Sequence, residues 1–354
     1  MMTLLSTIWL MALAGDGRSS IPAARPGGPA AMLGSSPASS PSDSGPVYHW
    51  RLVTPKAAFA ARDGAGALVF NDRMWLLGGW NPGDKVHFPN KCNSEVWCSS
   101  DGAAWKLESR QAPWEGRHTA GYAVHRGRMW IVGGDPLQGR YQNDVWNTAD
   151  GINWRRVTEK VPWAPRALHH TVVFNDRIWV MGGQTVPQFA PAPEKFYNDV
   201  WKTQDGLAWT RVVEHAPWEP RGMIGGAVVF KGRIWVLGGG TYDTPRTPSR
   251  RFYNDVWSSP DGRHWERHIE NAPWHPRQYH EVAVFDDHMW VLEGWNQSNR
   301  NDVWYSQDGI NWHELPGTPW APRHAASVFV YDNALWMVAG NNMTSDVWKL
   351  IRKR

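Results

Sequence analysis

The stretch NDVWSSPDGRHWERHIENAPWHPR, residues 254–277, decides the fold, because the chain writes it repeatedly. An acid, a valine and a tryptophan lead to Asp-Gly, to a second tryptophan eight positions after the first, then to Pro-Trp and an arginine. The same order returns as DVWNTADGINWRRVTEKVPWAPR at 144–166 and as DVWYSQDGINWHELPGTPWAPR at 302–323. Upstream of each copy lies an apolar hairpin with its own tryptophan, at Trp75, Trp130, Trp179, Trp235, Trp290 and Trp336, spaced by 46 to 56 residues. Self-similarity at that period marks an architecture whose units cannot bury their faces alone and must stack on one another.

Each unit reads as four short strands. The first two are joined by residue pairs that accept a positive φ: Asn71-Asp72, Arg126-Gly127, Asn175-Asp176, Lys231-Gly232, Asp286-Asp287 and Asp332-Asn333. The third and fourth flank the Asp-Gly pair, a second hairpin signal. Small four-stranded sheets with tryptophans at equivalent places predict an all-β chain, a six-bladed propeller of four-stranded antiparallel blades. The sixth unit ends after its third strand, near Trp348 to Ile351, while His49-Trp50-Arg51-Leu52-Val53 matches the fourth strand of other units. The N-terminal segment is therefore expected to complete the last blade and close the ring, which hides two strand edges.

With these elements in place the chain resembles the kelch family of β-propellers, over about residues 46–351. The residues that carry the resemblance are Pro165-Arg166, Pro220-Arg221, Pro276-Arg277 and Pro322-Arg323, the glycine pairs at 78/79, 133/134, 182/183 and 238/239, and the tryptophan eight positions after each Asp-Val-Trp. The family includes galactose-oxidase-like sugar oxidases, a sialic acid mutarotase and non-catalytic binding modules, so the resemblance implies a fold and leaves the activity open. Tyr279-His280 resembles part of a copper set of the oxidases, but neither Cys92 nor Cys98 is placed beside a partner tyrosine. No metal and no cofactor are expected.

Residues 1–14 hold an apolar run, Leu4 to Met11, followed by Ala12-Leu13-Ala14, and read as a secretory signal that would make the protein secreted or periplasmic. The run is too short to span a bilayer. Residues 15–45, rich in Gly, Ser, Pro and Ala, read as a disordered linker. Cys92 and Cys98 are the two cysteines; a disulfide and two free thiols both remain open. A net charge of +4 without a basic stripe argues against nucleic acid as a partner. A monomer is expected.

Strand order places the unit arginines, the glycine pairs and the Asp-Val-Trp acids on one face. The loops between glycine pair and acid, on that same face, vary from 5 to 15 residues. Variable loops on a rigid scaffold are where binding resides. The six arginines Arg62, Arg117, Arg166, Arg221, Arg277 and Arg323 face six acids and read as braces. Departures from the repeat are the better site candidates. Trp80 and Trp295 follow the glycine pair or its remnant in units 1 and 5 and offer indole faces to a sugar or an aromatic group. Tyr279, with Arg246, Arg250 and Arg251 of the unit 4 loop, completes the candidate ligand-binding set. Glu293 replaces a glycine, and with His280 or Glu281 it would form an acid–base pair. The expected function is recognition of a glycan or protein ligand at the channel mouth. The alternative is a sugar epimerase resembling the sialic acid mutarotase and using His280 with Glu293 or Glu281.

Overall fold

All six inner hairpin turns adopt the left-handed backbone that their residues allow, with φ between 46° and 72° at both central positions, from Asn71 and Asp72 to Asp332 and Asn333. That geometry matches the twist of the strands it joins. The computed structural model describes residues 47–222 and 225–353. The expected signal and linker, 1–14 and 15–45, lie outside the described residues.

Six antiparallel four-stranded sheets follow the order of the chain. The innermost strands are Gly66–Phe70, Gly121–His125, His170–Phe174, Ala227–Phe230, Glu281–Phe285 and Ser327–Tyr331, and each contacts the next around a complete circle. The last sheet is built from Ser327–Tyr331, Ala334–Val338 and Val347–Arg352, and its outermost strand is the N-terminal Tyr48–Thr54. The molecule is a closed six-bladed β-propeller. No helix among the described residues is long and apolar enough to cross a membrane.

Two repeated devices hold the blades. The first is a buried ion pair that braces each blade at the loop face. Arg221, fully buried, donates to both carboxylate oxygens of Asp255 at 2.6 and 3.0 Å and to the carbonyls of Gly238 and Glu219, while Trp257 Nε1 donates to the same carboxylate at 2.8 Å. Arg62–Glu95, Arg117–Asp144, Arg166–Asp199, Arg277–Asp302 and Arg323–Asp346 repeat the pairing. In each brace Nε and Nη1 also donate to backbone carbonyls, and that added bonding helps a buried charge to persist.

The second device joins neighbouring blades. In the Ser/Thr-x-Asp-Gly turns the hydroxyl accepts from the glycine N–H, as Ser99 does from Gly102 at 2.8 Å, and the aspartate accepts from the two following amides. The glycine takes a positive φ and lies flat on the inner-hairpin tryptophan of the preceding blade: Gly102 on Trp336, Gly206 on Trp130, Gly262 on Trp179. Any Cβ there would enter the indole. The sixth blade has no such turn, and Tyr48 takes its place over Trp290, edge to face at 4.8 Å, with its hydroxyl donating to Asp286 at 2.5 Å. Closure by the N-terminal strand thus replaces a missing contact as well as a missing strand.

Candidate functional site

The residue after each unit arginine and the residue after each glycine pair face one another as isolated bridges at the loop-side rim. Asp63 pairs with Trp80, His118 with Asp135, Ala167 with Gln184, Gly222 with Gly240 and Gln278 with Trp295. Asn341 donates its amide to the carbonyl of His324 in the same way. These cross-strand couples are where the six blades differ, and they crown the channel.

Just inside them the chain draws the mouth together. The next residues, among them Gly64, Thr119, Leu168, Tyr279 and Ala325, sit at φ between 52° and 59°. Thr119 N–H donates to Gly64 at 2.9 Å, Gly64 to Ala325 at 2.9 Å, Ala325 to Tyr279 at 2.8 Å and Leu168 to Thr119 at 3.0 Å. A belt of backbone bonds therefore runs from blade to blade. Left-handed backbone at Thr, Leu, Tyr and Ala is costly and persists only where the surroundings impose it, commonly at functional sites.

Above this belt lies a cavity of about 250 Å³ to which all six blades contribute. Blades 1 and 6 contribute Asp63 with Trp80 and Asn341 to its wall, and blades 4 and 5 contribute Arg250 with Tyr242 and Tyr279. Phe189 from the blade 3 loop and Leu137 from blade 2 supply apolar surface at its edge. Trp80 lies nearly parallel to the His118 ring at 6.5 Å, and Tyr279 stacks on His324 at 5.0 Å. Arg250 is held over Tyr242 at 4.4 Å and over Trp295 at 4.6 Å, with Nε donated to Asp243. Its guanidinium is thereby fixed in orientation while its side chain stays 24% exposed. Trp295 consequently serves as a seat for Arg250 on the face expected to be open to ligand.

Burial governs the electrostatics here. Desolvation pushes the Asp63 carboxyl up to about 6, against the pull of His118 and of the Asn341 amide, which donates at 2.9 Å. Desolvation raises Asp135 as well; Thr119 donates to its Oδ1 at 2.8 Å and Oδ2 has no partner among the described residues. Burial lowers His324 to about 3, so it is neutral. Tyr279 is raised well above its usual value by burial and by Tyr242, and is a hydroxyl donor at neutral pH.

Of the sequence-derived ligand set, Trp80, Tyr279 and Arg250 line this cavity. Trp295 stands behind Arg250. Arg246 and Arg251 are exposed on the same loop, Arg246 with its amide donating to Glu194 at 3.3 Å and Arg251 with its amide donating to Thr241 at 3.0 Å.

Of the acid–base candidates, Glu281 lines the channel, while His280 and Glu293 are completely buried. Glu281 lines a second space of about 220 Å³ with His169, His170, Tyr122 and Thr171. His280 Nε2 is bonded to the Leu237 carbonyl at 2.9 Å, and burial lowers its pKa to about 3. Glu293, completely buried, accepts from the Ala326 amide at 2.9 Å and leaves Oε2 without a partner. Desolvation raises its carboxyl to about 8, and raises Glu281 too, with Glu293 adding to the latter. No hydrogen bond joins His280 to either carboxylate among the described residues.

Asymmetry also explains Glu293. His169 and His280 pack over Gly133 and Gly238 of the preceding blades, but the equivalent residue above Glu293 is Ala326, so the glutamate side chain takes the space of an imidazole.

Asp63, Asp135 and Asn341 were missed by the sequence reading. The rule that singled out Trp80 would have found Asp63, which directly follows a unit arginine where the other units have His118, Ala167, Gly222, Gln278 and His324. Cys92 and Cys98 are both free and buried. No group of three or more metal-ligating side chains is gathered among the described residues.

Fold and site together define a six-bladed β-propeller with one individualised rim. No family model matches the chain. No curated protein matches it.

Proposed function

We propose that the protein is a ligand-recognition module of kelch type, exported from the cytoplasm and acting as a monomer, whose ligand seats in the mouth cavity. One observation carries the reading. The residues that break the repeat converge from all six blades on a single cavity of about 250 Å³ with an aromatic wall, a fixed guanidinium and a buried carboxylate. That volume suits a small molecule or the end group of a glycan or peptide rather than a flat protein surface. Preformed walls reduce the ordering cost of binding.

The test is direct binding to glycan and peptide arrays by the wild type and Trp80→Ala. Loss of at least about tenfold in affinity is expected from removing the stacking surface. Equal binding by both proteins would place the ligand elsewhere. The sugar-epimerase reading gains no particular support, since His280 gives Nε2 to a backbone carbonyl.

A further inference from the structure

Two unlike charges face the mouth cavity and do not pair with each other. Asp63 has no lysine or arginine ion pair among the described residues, and its hydrogen-bonding partner is the neutral Asn341 amide. Arg250 uses Nε on Asp243, Nη1 on the Gln278 side-chain oxygen at 3.2 Å and its flat faces on Tyr242 and Trp295, and Nη2 has no hydrogen bond among the described residues and remains for the cavity. Both groups lie within electrostatic reach of the Tyr279 hydroxyl. Asp135 sits behind Asp63 with an oxygen unpartnered at 0% exposure, so the Asp63 wall holds two carboxylates. His118 Nδ1 lies 3.1 Å from Asp135 Oδ1.

A ligand that carried only an anion would satisfy Arg250 and leave the Asp63 wall repelling it. A ligand that carried only a cation would meet the reverse problem. A neutral sugar could hydrogen-bond to both groups through its hydroxyls but would bring no opposite charge to either, and charge-assisted bonds are the stronger ones. The arrangement is complementary to one molecule bearing both signs.

Resting on the mouth cavity as the recognition site, we infer that its ligand is a small zwitterion, an amino acid or short peptide. Its ammonium is received at Asp63 and its carboxylate at Arg250, with the carbon skeleton against Trp80 and Phe189. Arg250 donates to the carboxylate through the N–H groups that Asp243 and Gln278 leave free, in a fixed plane that a guanidinium supplies and an ammonium does not. The separation between the two walls selects the distance between the charges on the ligand. Trp80 and Phe189, 53% exposed, select what lies between them.

The experiment is calorimetric titration of the purified protein with each of three families at millimolar concentration. The zwitterions are α-amino acids, ω-amino acids from glycine to 6-aminohexanoate, and dipeptides. The single-charge relatives are the matching alkyl carboxylates and alkylamines. The third family is neutral methyl glycosides. At least one zwitterion should bind about tenfold or more above both of its single-charge relatives, the discrimination expected of one charge-assisted hydrogen bond.

Asp63→Asn should abolish the advantage over the carboxylate, and Arg250→Gln the advantage over the amine, with both variants unfolding at the wild-type temperature. Binding of a carboxylate or an amine as tightly as its zwitterion overturns the inference. So does binding of a glycoside, sensitive to Trp80→Ala, without any zwitterion; that outcome leaves the mouth as the recognition site. Zwitterion binding that neither Asp63→Asn, Arg250→Gln nor Trp80→Ala alters refutes both readings; the absence of any binding overturns the inference alone, and array binding lost in Trp80→Ala would then still support the mouth as the recognition site.

Discussion

Replacing Glu293 by glutamine should make the protein more stable, and increasingly so as the pH rises. Glu293 is completely buried, at φ 52°, where four of the other blades have glycine. Desolvation lifts its carboxyl from the ordinary 4.5 to about 8, against the Ala326 amide and the Arg323 and Arg277 charges, which lower it. Below pH 4.5 the group is protonated in both folded and unfolded chains and imposes no penalty. Between 4.5 and about 8 the folded state keeps a proton that the unfolded chain has released, so stability falls as pH rises. Above about 8 the loss is complete, and that interval corresponds to on the order of 5 kcal/mol.

Glutamine reproduces the protonated acid. Its Oε1 can still accept from the Ala326 amide, and its NH2 stands where the carboxyl hydroxyl would be. Urea unfolding followed by tryptophan fluorescence should give wild type and Glu293→Gln within about 1 kcal/mol of each other near the lower end of the window, with the variant ahead by several kcal/mol above it. Relief of Glu281, which Glu293 helps to raise, adds in the same direction. All other titrating groups are common to both proteins and largely cancel in the difference. Parallel pH profiles for the two proteins would refute the buried, uncompensated carboxylate.

Three further outcomes follow from the braces and the closure. Arg221→Met strands Asp255 and two carbonyls, and should cost about 3–5 kcal/mol in equilibrium unfolding; adding Asp255→Leu should recover part of it. Gly206→Ala forces a Cβ into a backbone at φ 74° and to within 2.6 Å of Trp130 Cζ3. A loss of about 2 kcal/mol or more in thermal or urea unfolding is expected, and a neutral result would contradict the interblade contact. Tyr48→Ala removes the ring that covers Trp290 at the seam of the propeller and should cost about 3–5 kcal/mol, read out as a lower unfolding midpoint. An unchanged midpoint would show that the N-terminal strand contributes little to closure.

The fold was legible because the sequence repeats its instructions. Six hairpin pairs accept a left-handed turn, five Asp-Gly turns fit an indole, and six arginines have their acids, so the local readings agree from blade to blade. The site was legible only in part. Trp80, Tyr279 and Arg250 stood out as departures from the repeat and meet at one cavity. Arg246 and Arg251 stood out equally but sit exposed on the loop, because a loop's course is set by contacts such as Glu194 with Thr247 that no periodicity encodes. His280 and Glu293, paired as an acid–base couple in the sequence reading, are bonded to different partners. A carbonyl of the preceding blade takes one and an amide of the following blade takes the other.

Periodicity by itself determined the number of blades, the strands in each, the ion-pair braces and the exchange of a strand between the chain's two ends, because all of these follow from local pattern repeated in register. Only the tertiary structure decided which exceptions are neighbours. Asp63 and Asn341 are 278 positions apart and share a hydrogen bond of 2.9 Å, because closing the ring sets the first blade beside the last. The two unlike charges that line the mouth, Asp63 and Arg250, are brought to one cavity by that closure, and no window along the chain contains them both.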